Sequence, residues 1–241
     1  MTISFKDLCL DAADPVVVAT FWAGALGHEV EVFEDGDAAV SGPNFPKIWI
    51  DAVPEPKVVK NRVHLDLRVP DVAALVGLGA TILAEHERWT VLGDPEGNEL
   101  CAFPDHHGEA LAAGAPAKVF ALCVDSDRPE ELATWWQARL GGSLVPGPDG
   151  ALRWIDSPRG MEGMTFKCVR VDDERVAKNR SHWDVTSVGA DERPEADQAA
   201  ELEAAGATLL RPHDDEIRWT VLADPQGNEF CLFTDGPPTT S

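Results

Sequence analysis

The chain has 241 residues and a formal charge of −22, from 42 acidic against 20 basic side chains. Such a charge argues against nucleic acid or an anionic membrane surface as partner, because both repel an acidic protein. Hydrophobic residues make up 44% and charged residues 26%, the composition of an ordinary globular protein, and no apolar run reaches the ~20 residues of a membrane helix. The opening MTISFKDLCLDAADP lacks the basic-then-apolar order of a signal peptide, and the five cysteines are an odd number set far apart. A cytoplasmic protein with reduced thiols is therefore expected.

In chain order, residues 3–10 read as a strand. Asp14 offers a helix N-cap and Pro15 a first helical position. Val18, Phe21, Trp22, Ala25 and Leu26 then form an apolar helical stripe, and Gly27 stands where a helix ends. HEVEVF and KIWIDAV read as strands, as does the stretch from Arg62 to Val69. A short helix follows over 71–78 and stops at Gly79; TILAEHE and a hairpin complete the unit. In that hairpin, DPEG places Asp94, Pro95 and Gly97 where a type I turn prefers them, a structural role that needs no chemistry.

The pattern then repeats. RWTVLGDPEGNELCAF and RWTVLADPQGNEFCLF match at twelve of sixteen positions; KVVKNRVHLDLRV answers RVAKNRSHWDVTSV, DLCLDAADP answers ALCVDSDRP, and IWID answers RWID. The order is kept throughout, so the chain is a tandem duplication. Repeats begin near residues 3, 61, 118 and 179, giving strand–helix–strands four times. Expected boundaries are a first domain at 1–104, a linker rich in Ala, Gly and Pro at 105–117, a second domain at 118–236 and a tail at 237–241.

Chemistry concentrates on the polar faces of a few strands. Arg62, His64, Asp66 and Arg68 share one face of their strand, as do Arg180, His182, Asp184 and Thr186 in the second copy; such a face either meets solvent or lines a site. Glu99, Cys101 and Phe103 share a face of the last hairpin strand, as do Glu229, Cys231 and Phe233. If these strands join one curved sheet, His64 meets Cys101 and His182 meets Cys231. That grouping suits a soft divalent metal, an imidazole-activated thiolate, or a plain buried cysteine. The eight tryptophans include the matched pairs Trp22/Trp136, Trp49/Trp154 and Trp89/Trp219, read as packing residues, while Trp183 stands alone beside His182. No phosphate-cradling glycine loop, dinucleotide fingerprint or GxSxG elbow is present.

Four strand–helix–strand–strand–strand units, with NRVHLDLRV followed by DPEGNELCAF, resemble the vicinal oxygen chelate superfamily, which includes glyoxalase I, bleomycin resistance proteins and extradiol dioxygenases. The resemblance is strongest to glyoxalase-like domains and covers 3–104 and 118–235. It implies an α+β fold of two tandem glyoxalase-like domains, each a pair of βαβββ modules forming a curved half-barrel sheet with helices outside. It also implies a metal position at Asp7, His64 and Cys101 in the first half, where the last-strand ligand, usually glutamate, is cysteine. The second half keeps His182 and Cys231 but has Ala121 at the first-strand position.

Two functional readings follow from the resemblance. One is a protein that encloses a small organic molecule in its cups, contacting it through Arg62, His64, Trp49, Cys101, His182, Trp183, Asp184 and Cys231, without the usual metal ligands. The other is a metal-dependent lyase or isomerase, less readily an extradiol dioxygenase. There His64 is ligand or base, Asp66 or Glu99 its electrostatic partner, and a zinc, iron, nickel or manganese ion sits in the first domain. The expected partner is a small molecule, with no nucleic acid and no membrane, and the expected state is a monomer or homodimer.

Overall fold

Each module opens on a strand whose alternate side chains are apolar and buried, so one face seeks a helix and the other is left for polar groups. The computed structural model describes residues 1–43, 45–105, 115–188 and 193–234. The first module holds β1 (Ile3–Ala12), α1 (Pro15–Leu26), β2 (Glu29–Val32), β3 (Ala38–Gly42) and β4 (Phe45–Ala52); the second holds β5 (Val63–Val69), α2 (Val72–Gly77), β6 (Thr81–Glu85), β7 (Thr90–Gly93) and β8 (Glu99–Pro104). In the second half β9 (Lys118–Ser126), α3 (Pro129–Leu140), β10 (Ser143–Pro146), β11 (Leu152–Asp156) and β12 (Thr165–Arg170) precede β13 (Ser181–Ser187), α4 (Glu195–Ala204), β14 (Thr208–Arg211), β15 (Thr220–Ala223) and β16 (Glu229–Phe233). The fold is α+β, as expected. Strand β3, which had no clear signal in the sequence, completes the βαβββ order of the first module.

Local signals act as read. The Asp14 side chain accepts the Val17 N–H at 3.1 Å, and Gly27 closes α1 at φ +66°. In both hairpins the turn carboxylate, Asp94 or Asp224, accepts the backbone N–H groups two and four residues on. Those aspartates are architectural.

The sheets do not follow the halves. One open eight-stranded sheet runs β14-β15-β16-β13-β1-β4-β3-β2, and the other runs β10-β11-β12-β9-β5-β8-β7-β6. Each sheet therefore joins one module of the first half to one of the second, through the antiparallel pairs β1/β13 and β5/β9. This corrects the expectation that consecutive modules pair within each half. The boundaries 1–104 and 118–236 divide the sequence by repeat, and no sheet respects them. Linker residues 106–114 and the tail from 235 lie outside the described residues.

The apolar backs of both sheets feed one continuous core. Leu8, Leu10, Val63, Leu65, Leu122 and Trp136 are all at most 4% exposed within it. Among the described residues no helix is long and apolar enough to cross a membrane. The halves are also clipped at a turn. The Phe5 N–H donates to the Arg159 carbonyl at 2.9 Å, and a Cβ on Gly160, at φ +81°, would stand 2.0 Å from the Phe5 carbonyl oxygen, so only glycine fits.

Fragment 1–105 alone keeps β4 and β8 but lacks β13 and β9, the cross-half partners of β1 and β5. It is expected to yield no folded monomer by size-exclusion light scattering and amide NMR dispersion; a monodisperse, well-dispersed monomer would contradict the cross-half pairing.

Candidate functional site

Each sheet turns one face to the shared core and the other away from it, and the polar residues of the central strands gather on the outer face. On β5 the period of two sends His64, Asp66 and Arg68 outward and Val63, Leu65 and Leu67 into the core. Cys123 of β9 lies opposite His64, and Cys101 of β8 beside Asp66. Ligand atoms of His64, Asp66 and Cys101 all fall within 4.8 Å of one another, with His64 Nε2 3.6 Å from Asp66 Oδ1.

A residue outside the sequence-based set completes this β5/β9 cup. Lys167 of β12 places Nζ 2.8 Å from Asp66 Oδ2, with both side chains nearly buried. Its ammonium sits over Phe120 at 4.4 Å, Trp154 at 4.8 Å and Phe103 at 5.6 Å. Arg68 lies on the Phe120 ring at 4.2 Å, and Trp89 stacks on Phe103 at 5.9 Å. Burial holds His64 below the ordinary imidazole value against the pull of Asp66, so it is neutral at pH 7, and its Nδ1 has no partner among the described residues. Burial, reinforced by Asp66, pushes Cys101 up to about 12. The thiol is protonated, which leaves no thiolate nucleophile here.

The β1/β13 cup has the same plan with different charges. Cys9 lies opposite His182 and beside Trp49, and Asp184 lies beside Cys231. Cys9, His182 and Asp184 form the second close group, with Cys9 Sγ donating to Asp184 Oδ1 at 3.6 Å. A bulge at Lys6–Asp7 turns both residues from the core. The Lys6 ammonium pairs with Asp7, stands 3.9 Å from Asp184 and covers the Phe233 ring at 4.4 Å. Trp49 Nε1 donates to Asp7 Oδ2 at 3.1 Å, and Phe33 stacks on Trp49 at 5.7 Å. Burial raises the Asp184 carboxyl to about 7 and lowers His182 to about 4. Burial, then repulsion from Asp37, lifts Asp51 to about 6. This cup carries an excess of carboxylates.

The expected metal set of Asp7, His64 and Cys101 is not brought together. Asp7 stands on β1, in the other sheet from His64 and Cys101. Trp183, expected to touch a ligand, is 0% exposed on the core face, packed against Trp136 and Phe166 at 5.1 and 5.5 Å. The two-residue period that turns His182 outward turns Trp183 inward. Glu99 is engaged elsewhere: Lys57 Nζ and the Asn61 N–H donate to it at 2.9 and 3.0 Å, anchoring the segment before β5. Glu229 receives Arg175 and the Asn179 N–H in the same way. Arg62 reaches the Asp173 carbonyl at 3.1 Å, along the crossing segments and away from the cup. His64, Asp66 and Cys101 do converge; His182 and Asp184 converge with Cys9, which Trp49 flanks, while Cys231 lies beside Asp184 on the next strand.

Lys167 was missed for a traceable reason. IWID and RWID match in sequence, but IWID lies on β4 and RWID on β11. Strand β4 pairs with β1 as β12 pairs with β9, so the counterpart of Trp49, opposite Cys9, is Lys167, opposite Cys123. The alternation in TFKCVR, with Phe166 and Cys168 buried, was the available signal.

The sequence model of the glyoxalase-like domain matches residues 7–103 and again 121–233. The chain belongs to the glyoxalase-like domain family. Among solved structures, glyoxalase I from Zea mays aligns with a TM-score of 0.63 at 12% identity, over 96% of this chain and 92% of its own. A dioxygenase-family protein from Bacillus subtilis aligns with a TM-score of 0.61 at 16% identity, over 98% and 86%. At these identities the likeness shows the fold alone. No curated protein matches the sequence.

Metalloenzymes of the vicinal oxygen chelate superfamily, which the sequence resembles, hold a divalent ion in such cups, and the two cups of this glyoxalase-like chain suit one unequally. In the β1/β13 cup a neutral imidazole, a thiol and an underpaired carboxyl converge, donors that fit a soft dication such as zinc. In the β5/β9 cup the same donor types are present, but Asp66 already holds the Lys167 ammonium. A dication does not fit there.

Removing one partner of a buried ion pair strands the other. Lys167→Met is expected to lower unfolding stability by about 3 kcal/mol, and adding Asp66→Asn to recover most of that loss. Urea unfolding of the two single variants and the double variant measures the coupling. A loss under about 0.5 kcal/mol for the single lysine variant would mean that water already screens the pair.

Proposed function

We propose that this glyoxalase-like protein encloses a small organic molecule bearing a planar ring, held in the β5/β9 cup and, in a related way, in the β1/β13 cup. One observation carries the reading: Phe103, Phe120 and Trp154 wall a polar floor of His64, Asp66 and Cys101. Aromatic walls around a few convergent polar groups are the usual make-up of a small-molecule site. Trp49, Phe33 and Phe233 supply similar walls in the other cup. His64 is neutral and only partly exposed, so it offers one hydrogen-bond donor and one acceptor to a ligand, with Asp66 3.6 Å away to fix the ring.

A second reading is favoured by the close Cys9–His182–Asp184 group. A lyase or isomerase acting on a small oxygenated substrate would use the β1/β13 cup, which draws on both halves and is not the first-half site expected from sequence. Cys9, His182 and Asp184 would hold a divalent ion, and that ion would supply Lewis-acid polarisation of a substrate oxygen. Asp7, fixed by Trp49, would then orient substrate donors at the rim.

Five free cysteines support residence in a reducing cytoplasm. Both sheets find their partner modules within one chain, which supports a monomer. The charge of −22 supports a small-molecule partner over nucleic acid or membrane.

Saturation-transfer NMR with benzoate, benzamide and benzylamine tests the enclosing reading. At least one ring is expected to bind with a Kd tighter than about 1 mM, and Phe120→Ala with Trp154→Ala to weaken it about tenfold or more. Binding of none of the three, or binding untouched by those substitutions, would overturn it.

A further inference from the structure

We infer that Lys167 is a resident cation: its ammonium occupies the place of a divalent ion in the β5/β9 cup and meets the oxygen-bearing end of whatever the cup receives. The ammonium lies on the donor cluster itself, 2.8 Å from Asp66, whose other oxygen is 3.6 Å from His64. Rings at 4.4, 4.8 and 5.6 Å hold it there, a cage that favours one compact positive charge. The buried Cys123 and half-buried Cys101 flank this cluster, and within it the Asp66 carboxylate pairs directly with the Lys167 ammonium. A dication among the same donors would face an ammonium at close range in a poorly hydrated site. Among the described residues nothing comparable blocks the other cup: its position beside Cys9 is Trp49, and Lys6 pairs mainly with Asp7 while standing 3.9 Å from Asp184.

The assignment has a chemical consequence. An ammonium offers donors and one positive charge without open coordination positions, so it selects a carboxylate, enolate or similar oxyanion and binds no thiol or chelating diol as a metal would. Lys167 is thus a binding and specificity residue for the ligand class proposed above, and that part rests on the enclosing reading. The displacement of metal does not rest on it.

Cobalt(II) binding separates these statements. His182→Ala first silences the β1/β13 cup, and metal content and thiolate-to-cobalt absorption are then read on protein dialysed against cobalt chloride. In that background the chain is expected to carry less than about 0.1 equivalent of cobalt, and addition of Lys167→Met to raise it to about one equivalent. A further His64→Ala or Cys101→Ala should abolish the gain. Lys167→Gln, closer in length and polarity, serves if the methionine variant does not fold. Cobalt bound through His64 and Cys101 with Lys167 in place would overturn the inference, as would a folded Lys167 variant that still binds none. Gain of cobalt in a protein that binds no ring would sink the enclosing reading alone. Ring binding without that gain would sink the resident cation alone.

Discussion

The antiparallel pairing of β1 with β13, and of β5 with β9, is the constraint from which the rest of this protein follows. A βαβββ module presents only four strands, with an apolar face and an exposed inner edge, and buries neither well by itself. Pairing two inner edges makes an eight-stranded sheet, and the histidine-bearing central strand of each sheet, β5 in one and β13 in the other, faces a strand of the other half. His64 therefore meets Cys123, and His182 meets Cys9. The composition of each cup is a product of long-range pairing.

This explains how much could be read beforehand. Alternation on 62–69 placed His64 and Asp66 on one face, and the cap at Asp14 and the DPxG turns fixed local conformation, because those signals lie within a few residues. The choice of partner module is different in kind. Both pairings satisfy the same local patterns, and nothing in residues 3–12 says whether they join 63–69 or 181–187. Asp7 was grouped with His64 for that reason. The burial of Trp183 is a local matter, since the alternation that turns His182 outward turns Trp183 into the core. Lys167 was hidden by a four-residue resemblance between IWID and RWID, strands that hold different positions in their modules.

Burial then decides the chemistry. Both cups contain imidazole, carboxyl and two thiols, and desolvation drives the imidazoles and thiols to neutrality. Only the carboxyls differ. Asp66 has a buried ammonium at 2.8 Å, whereas Asp184 has a more distant one and a carboxyl raised to about 7. One strand position, lysine on β12 and tryptophan on β4, separates a cup whose central carboxylate holds an ammonium at 2.8 Å from one whose nearest ammonium, Lys6, stands 3.9 Å away and pairs with Asp7. Two copies of one module pair have thus become chemically unequal while keeping the same backbone.

The crossed pairing also orders the events of synthesis. The β5/β9 sheet is built from residues 63–170, an uninterrupted stretch, and its strands are all available once that stretch has left the ribosome. The other sheet must unite residues 3–52 with 181–233, the first and last parts of the chain to be made. Its central pair closes a loop of roughly 170 residues and forms late by the entropy of that closure. Until then β1 and α1 wait with apolar faces open, beside a finished sheet whose own back is apolar. The nascent protein therefore depends on that first sheet to shelter its opening module until the final one arrives.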